Sequence, residues 1–514
     1  MKLLISIFFL TILFNGVSAQ QQNPADSVYL FTQTLRKIND AQQNAASLIN
    51  SDAQNISVVS LKYTLQKGHF RTAQTAESAH GISMQSSGIK SLGKFKVTGY
   101  FNFERSWQDS LSWTLQGIPD QATPYYFAAG KAGKYERLNY NFGGLLTYGL
   151  IKDKLYLAAG AAYYYNTASR SVDPRPSVQT FAFNINPQIL YRIAHHVIGG
   201  EFILGYGKED NVVSYRNAQY AAQSLDYADR INYLVMGYGT KIPFGAGQLK
   251  RSSQTSGFGL NYAFKDDHAY LNASLKYNKE VQDNLDGKDF STANIKYGTF
   301  ILNNYSVSVL SGLKTALYQH QLHFMMQWQN GYDHNYYELK GLSSYKYSHQ
   351  RAAVYYTALK NSSSWRKAEL GLNVIYDKID KKDLASSISS VFGYIQPGLN
   401  GTFYNSFKDK SKLSLTLAPG LRLPVGNQIN VPVTDNVLAN HIIYPDYTYW
   451  TSTAGIMDFN VKYISSHLFK NVSSGISLNA VYISSLAGGT NYKVSDFTPS
   501  KNRLDFTLGF NLYF

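Results

Sequence analysis

A strict two-residue alternation limits what this chain can fold into more than any other feature. It is clearest at the end, where Leu504, Phe506, Leu508, Phe510, Leu512 and Phe514 alternate with Arg503, Asp505, Thr507, Gly509, Asn511 and Tyr513. Successive side chains of a strand point to opposite faces, so this segment has one apolar face and one polar face. A soluble sandwich can use such a strand. A tilted strand that crosses a bilayer needs roughly 9–11 residues, and the alternation runs for about that length before ending on an aromatic. The pattern recurs upstream. Leu138, Tyr140, Phe142, Leu146, Tyr148 and Leu150 alternate with polar residues in 135–150, and Leu322, Phe324, Met326 and Trp328 do so in 321–329. Residues 365–376, 413–417 and 472–484 repeat it.

Two kinds of connection separate these runs. Ile151–Lys154, Tyr318–His320, Lys360–Ser364 and Phe407–Lys410 read as short turns. Trp107–Lys134, Lys208–Asp229, Gly331–Ser343, Pro424–Thr448 and Leu486–Ser500 read as long loops. Transmembrane barrels have this asymmetry, with short turns on the periplasmic side. The expected fold is an all-β, transmembrane antiparallel β-barrel of about 14–20 strands, best matched by 18–20, and strict counting gives roughly twenty. Between Lys241 and Tyr305 an even count requires a strand near Ala293–Leu302. The last strand is expected to pair with the first, near Ile56–Gln66, to close the ring.

The other end of the chain predicts the compartment. Met1-Lys2, an apolar run from Leu3 to Phe14, and Val17-Ser18-Ala19 have the form of a secretory signal peptide over 1–19. Residues 20–55 switch to helical spacing: Asp26 is read as a cap for a helix carrying Val28, Phe31, Leu35 and Ile38, with a second run from Ala41 to Ile49. That segment is too short for a core of its own and is expected to be periplasmic or inserted in the lumen, with the barrel over 56–514. The chain has no Cys, so the fold must hold without disulfides, as a closed hydrogen-bonded ring can. A mean hydropathy of −0.26 and the lack of any second long apolar run rule out a helical membrane protein but not a barrel. The 42 Tyr and 28 Phe suit aromatic girdles at the two membrane interfaces.

The net charge is +15. Its positive residues are scattered singly through alternating runs, as at Lys62, Lys96, Lys276 and Lys412, with no basic arm, so nucleic acid is not an expected partner. A solvated mixed surface accounts for them, or attraction of anionic solutes and lipopolysaccharide.

Several short phrases carry a resemblance: Asn44-Ala45-Ala46-Ser47-Leu48, Gly68-His69-Phe70-Arg71 with Gln74, Asp173-Pro174-Arg175-Pro176, and the terminal Phe514. Together they resemble an uncharacterised family of bacteroidete-type outer-membrane β-barrels. The first phrase is also similar to the Asn-Pro-Ala-Gly-Leu of FadL-like transporters, with Ala45 and Ser47 in place of the Pro and Gly. The resemblance implies a barrel in the outer membrane. It names no substrate.

Catalytic, cofactor and metal chemistry find little support. His195 and His196 are adjacent, so on a strand they point apart. His320 and His323 lack the helix that would join them, and the 283–289 stretch lacks the terminal Glu of a calcium loop. Gly245–Lys250 lacks the ending of a phosphate loop. Asp333-His334, read as lying in an outer loop, is the one acid–imidazole pair suited to a rim hydrolase, while Asp267-His268 reads as a bare hairpin tip. The Tyr-rich stretches 332–347 and 444–450 read as interface anchors. The expectation is an outer-membrane channel or transporter-like barrel, not an enzyme, with no catalytic, cofactor or metal residues and an unknown small-molecule cargo. The alternatives are a closed structural or ligand-binding barrel acting through its loops, or a rim hydrolase. Expected partners are outer-membrane lipid, lipopolysaccharide and the barrel-assembly machinery, through the strand ending in Phe514.

Overall fold

The computed structural model describes residues 25–287, 295–361, 366–432, 436–469, 472–490 and 497–514. The signal-peptide reading lies outside these residues, as do parts of the stretches 283–289, 360–364, 424–448 and 486–500.

Among the described residues, eighteen antiparallel strands form one closed wall, running from Ile56–Gly68 round to Asn502–Tyr513. Those two strands pair with each other, Val58 opposite Tyr513 and Gly68 opposite Arg503, which closes the ring as the alternation predicts. The outward side is the apolar one. Leu504, Leu508 and Phe510 are exposed, whereas Arg503, Gly509, Asn511 and Tyr513 are buried. On His196–Ser214 the exposed face carries Ile198, Phe202, Leu204 and Tyr206, a run that spans roughly 20 Å of height once a strand tilt of about 40° is allowed for. Phe258, Tyr277, Tyr305 and Trp328 form an outward aromatic row across four neighbouring strands, with ring centroids 5.4, 5.0 and 5.5 Å apart. An apolar belt of this extent is a surface for lipid. No helix among the described residues is long and apolar enough to cross a membrane.

Eighteen lies within the expected 18–20, and the strict count of roughly twenty is too high. Most wall strands run well past the length needed to cross a bilayer, up to 19 residues in Gly133–Ile151. Several expected loop residues therefore belong to the wall. Trp107 lies in Phe95–Leu111, Lys208 in His196–Ser214, and Tyr318–His320 begins the strand Tyr318–Asn335 rather than forming a turn. Between Lys241 and Tyr305 run Gly247–Lys265, Ala269–Asp286 and the first half of Lys296–Lys314, the last supplying the strand expected near Ala293–Leu302, of which 293–294 lie outside the described residues.

The two ends of the barrel differ. One carries tight turns at 93–94, 152–154, 194–195, 266–268 and 315–317; the other carries the long loops 112–132, 215–246 and 425–452. The seam meets the long-loop end at Gly68, whose φ of +146° places a hypothetical Cβ 2.3 Å from the Asn502 carbonyl oxygen. A Gly68→Ala variant is expected to lose about 1–3 kcal/mol through this backbone clash. Its heat-modifiable band on a gel should convert to the unfolded form at a lower temperature than that of the parent; equal conversion would mean the seam tolerates the methyl group.

Candidate functional site

A ring of this strand number can enclose an aqueous channel. Here both mouths are filled, and the candidate site is the lumen between the fillings.

The short-turn mouth is stopped by three helices, α1 (Ala25–Val28), α2 (Thr32–Gln43) and α3 (Ala45–Asn50). Asn44 separates the last two. Its side chain accepts a hydrogen bond from the Ser47 N–H at 3.1 Å, capping α3, and donates to the Ala273 carbonyl of the wall at 3.1 Å. Ala45, Ala46 and Leu48 are completely buried, and with Tyr29, Leu30 and Ile38 they pack against Ile89, Leu145, Leu190, Val197 and Ile464 from the wall. Asp26 is not a cap. It lies within α1 and pairs with Lys412 at 2.7 Å. The scattered lysines explain themselves here. Lys462 donates to the Tyr29 carbonyl at 2.9 Å, Lys276 to that of Gln43 at 3.3 Å, Lys96 to that of Ser51, and Lys265 pairs with Asp52. Arg192 reaches the Asn50 side chain at 2.9 Å. Single inward cations thus hold the plug, three of them by backbone carbonyls at helix ends that lack helical partners and three by side chains. Lys62 is different and bonds Gln85 at 2.6 Å.

The long-loop mouth is stopped by its own loops. Tyr125–Ala128 from one loop pairs with Tyr233–Met236 from another, which also pairs with Lys241–Pro243, so a small three-stranded sheet lies inside the ring. Phe127, Leu234 and Met236 are completely buried. The helix Tyr444–Thr451 packs alongside, with Trp450 stacked on Phe392 of the wall at 5.8 Å. Residues 444–450 and the buried Tyr345 and Tyr347 therefore fill the lumen instead of anchoring the interface, although Tyr332, Tyr336 and Tyr337 remain exposed. Inward charges at the strand ends hold this plug. Arg251 donates to the Tyr125 carbonyl at 2.8 Å and Arg422 to that of Tyr449 at 2.6 Å. Asp383 accepts from three consecutive amides, Tyr238, Gly239 and Thr240, at 2.9, 2.9 and 3.2 Å.

Asp446, in the loop helix, accepts from the Ala73 N–H at 2.8 Å, and burial pushes its carboxyl up to about 6 against the pull of that bond, Lys381 and Arg71. A raised folded value means the docked loop holds a proton more tightly than the free loop. Docking therefore tightens as pH falls through 6 toward 4. Between pH 8 and pH 5 the gain is about 1.4 kcal/mol, roughly tenfold. Limited proteolysis of the 425–452 loop is expected to slow by that factor, and Asp446→Asn to flatten the profile; a pH-independent parent would refute the assignment.

A chamber of about 600 Å³ remains between the plugs. Gln42 and Gln43 of α2 floor it, and Tyr100, Asn184, Asn186, Met325, Gln327, Arg351 and Tyr355 line it. The upper plug starts beyond it: Gly117 lies against Val178, on the same strand as Asn184 but nearer the long-loop end. Lys276 at its wall pairs with buried Glu201 at 2.8 Å.

The residues weighed for catalysis are not brought together. Asp333-His334 lies in a wall strand, not a loop, so the two side chains point to opposite faces. Asp333 is fully buried and accepts from the Tyr125 hydroxyl at 2.8 Å and from the Ser344 and Tyr345 amides at 2.8 and 2.7 Å; His334 contacts the Gly341 carbonyl at 3.1 Å. That carboxylate anchors the plug. Asp267-His268 is a hairpin tip, as expected. His195 sits in a turn, and His196 bonds the Tyr262 hydroxyl at 2.8 Å. His320 bonds Tyr356 at 2.7 Å and His323 bonds Ser308 at 3.3 Å, so they share no ligand. Asp283 bonds Thr299 and Lys296, at 2.7 and 2.8 Å, and Gly245–Lys250 leads into the strand Gly247–Lys265. Among the described residues no three metal-ligating side chains converge.

A closed antiparallel ring with an apolar exterior and a plugged polar interior defines the outer-membrane class of β-barrel. Within that class the chain belongs to a family of unknown function (DUF6850), whose model matches residues 45–514. No curated protein matches it. Among solved structures it is similar to BauA, the ferric preacinetobactin receptor of Acinetobacter baumannii, at 8% identity over 90% of this chain and 80% of that one, with a TM-score of 0.37. It is also similar to the outer membrane transporter YddB of Escherichia coli, at 8% identity over 89% and 80% with a TM-score of 0.37. A mutant of the monoaromatic hydrocarbon channel TodX gives 9% identity over 91% and 92%, with a TM-score of 0.31. Likeness at this level concerns barrel architecture and nothing finer.

Proposed function

We propose that this protein is a gated, transporter-like barrel of the outer membrane that is closed at rest and passes a small solute through its chamber. The observation that carries the reading is the chamber itself, lined by polar side chains together with Leu145, Val307, Met325 and Met326, and left between two plugs that are pinned to the wall by separate charged contacts. Such contacts can release one at a time without dismantling the ring, whose own hydrogen bonds lie elsewhere. In this reading the short turns face the periplasm and the long loops face outward. The apolar belt meets lipid, and the strand ending in Phe514 is what the assembly machinery engages. A second reading, a closed barrel that binds or scaffolds through its loops, is favoured by the depth to which those loops are buried in the lumen.

Planar bilayers separate the two. Intact protein is expected to be nearly silent, and a variant combining deletion of 25–50 with Asp383→Ala to give steady conductance. A doubly altered barrel that folds by heat-modifiable migration yet stays silent would leave only the scaffold reading.

A further inference from the structure

A second, smaller cavity of about 240 Å³ lies where four segments of the long-loop end meet, at 72–76, 119–126, 237–238 and 442–446. Its walls carry charges of both signs, which attract one another across the cavity. Lys381 faces it from the wall strand Arg366–Asp383, with the Tyr238 ring 5.3 Å from its ammonium nitrogen. Its acidic neighbours are Asp446 and Asp120, and neither forms an ion pair with it. Each carboxylate is only partly used: Asp446 by the Ala73 amide, Asp120 by the Ala122 amide at 2.9 Å. The Thr123 hydroxyl, on a residue 3% exposed, lines the same cavity without any hydrogen-bond partner. A buried hydroxyl without a partner is costly unless something else in the cavity serves it.

We infer that this cavity binds a small zwitterion, of the free amino acid or dipeptide class, with its carboxylate on Lys381 and its ammonium between Asp446 and Asp120. The proposal rests on the transporter reading and makes this cavity the outward recognition site for the solute. Three features select this class. Both signs of charge line one enclosure, with no direct ion pair between them among the described residues. Each retains hydrogen-bonding capacity of its own kind. The volume falls below that of sites for drug-sized ligands. A sugar would need neither the cation nor the separated acids.

The test is equilibrium binding to the purified full-length barrel in detergent, using the common amino acids and glycylglycine. At least one is expected to bind saturably. Its N-acetyl and C-amide forms should bind about tenfold or more weakly, the loss typical of a charged hydrogen bond. Lys381→Met should have a similar effect and Thr123→Val a smaller one, with heat-modifiable migration of both unchanged. Because the blocked ligands are used on the parent protein, the answer does not depend on either variant folding. No saturable binding at millimolar ligand, equal binding of the blocked forms, or binding of monosaccharides in their place would overturn the assignment. Conductance of the doubly altered barrel is read independently, so failure of this site and failure of the transporter reading are distinguishable.

Discussion

A cysteine placed at Met325 is expected to react at least roughly 100-fold faster with a membrane-impermeant thiol reagent once residues 25–50 are deleted, the factor that an opening cost of about 2.8 kcal/mol suppresses. The chain has no native Cys, so the signal has no background. Met325 lines the chamber, and the helices form its floor. In the intact protein a reagent must wait for α1–α3 to leave. Their exit breaks the Lys412–Asp26 pair, the Lys462 and Arg192 contacts and the bonds of Gln33 to the Gln319 carbonyl at 2.9 Å and the Thr357 hydroxyl at 3.2 Å. It also exposes the apolar face that packs against Ile89, Leu190 and Ile464. Equal reactivity with and without the helices would mean that they do not seal the short-turn mouth.

Asp383→Ala is expected to loosen the opposite plug by about 4 kcal/mol, because buried amides left without an acceptor cost roughly 1–3 kcal/mol each. Asp383 is 1% exposed and serves the Tyr238, Gly239 and Thr240 amides through one oxygen and the Ala385 amide, at 3.1 Å, through the other. Among the described residues no other single side chain that holds the upper plug gathers so many donors. The readout is proteolytic cleavage within 215–246, rising by up to three orders of magnitude while heat-modifiable migration stays as in the parent. Asp383→Asn, which keeps one acceptor but loses the charge, should fall between the two. Cleavage at the parental rate in Asp383→Ala would show that sheet packing alone holds the plug.

The wall could be read from the sequence because alternation at period two reports a local property, the side to which each residue points. The seam between Ile56–Gly68 and Asn502–Tyr513, the hairpin at 266–268 and the helices within 20–55 all follow from patterns a few residues long. The strand count could not be read the same way. Tyr125–Ala128 and Tyr233–Met236 have the composition of wall strands yet pair with each other inside the lumen, and the true wall strands continue well beyond the belt. The anchors were less legible still. Lys412 meets Asp26, and Lys462 meets the Tyr29 carbonyl, across more than 380 residues of sequence; the second partner is backbone, which has no sequence signature. The one available signal was a cation among mostly uncharged inward residues, as at Lys96, Lys276 and Lys412. It marks where something inside the barrel needs holding, without saying what.

The helices touch wall strands from both sides of the seam. Tyr29 rests against Tyr513 of the final strand at 5.7 Å, while Asn44 reaches Ala273 on the far side of the ring. Their seat is therefore finished only when the last strand has zipped onto the first. A chain with its seam still open offers α1–α3 a partial socket, and an empty ring that has already closed admits them only through its narrow mouth. Sealing thus comes after closure of the seam: a ring that closes without its stopper keeps every hydrogen bond of the wall and is left with an unglazed window at the short-turn mouth.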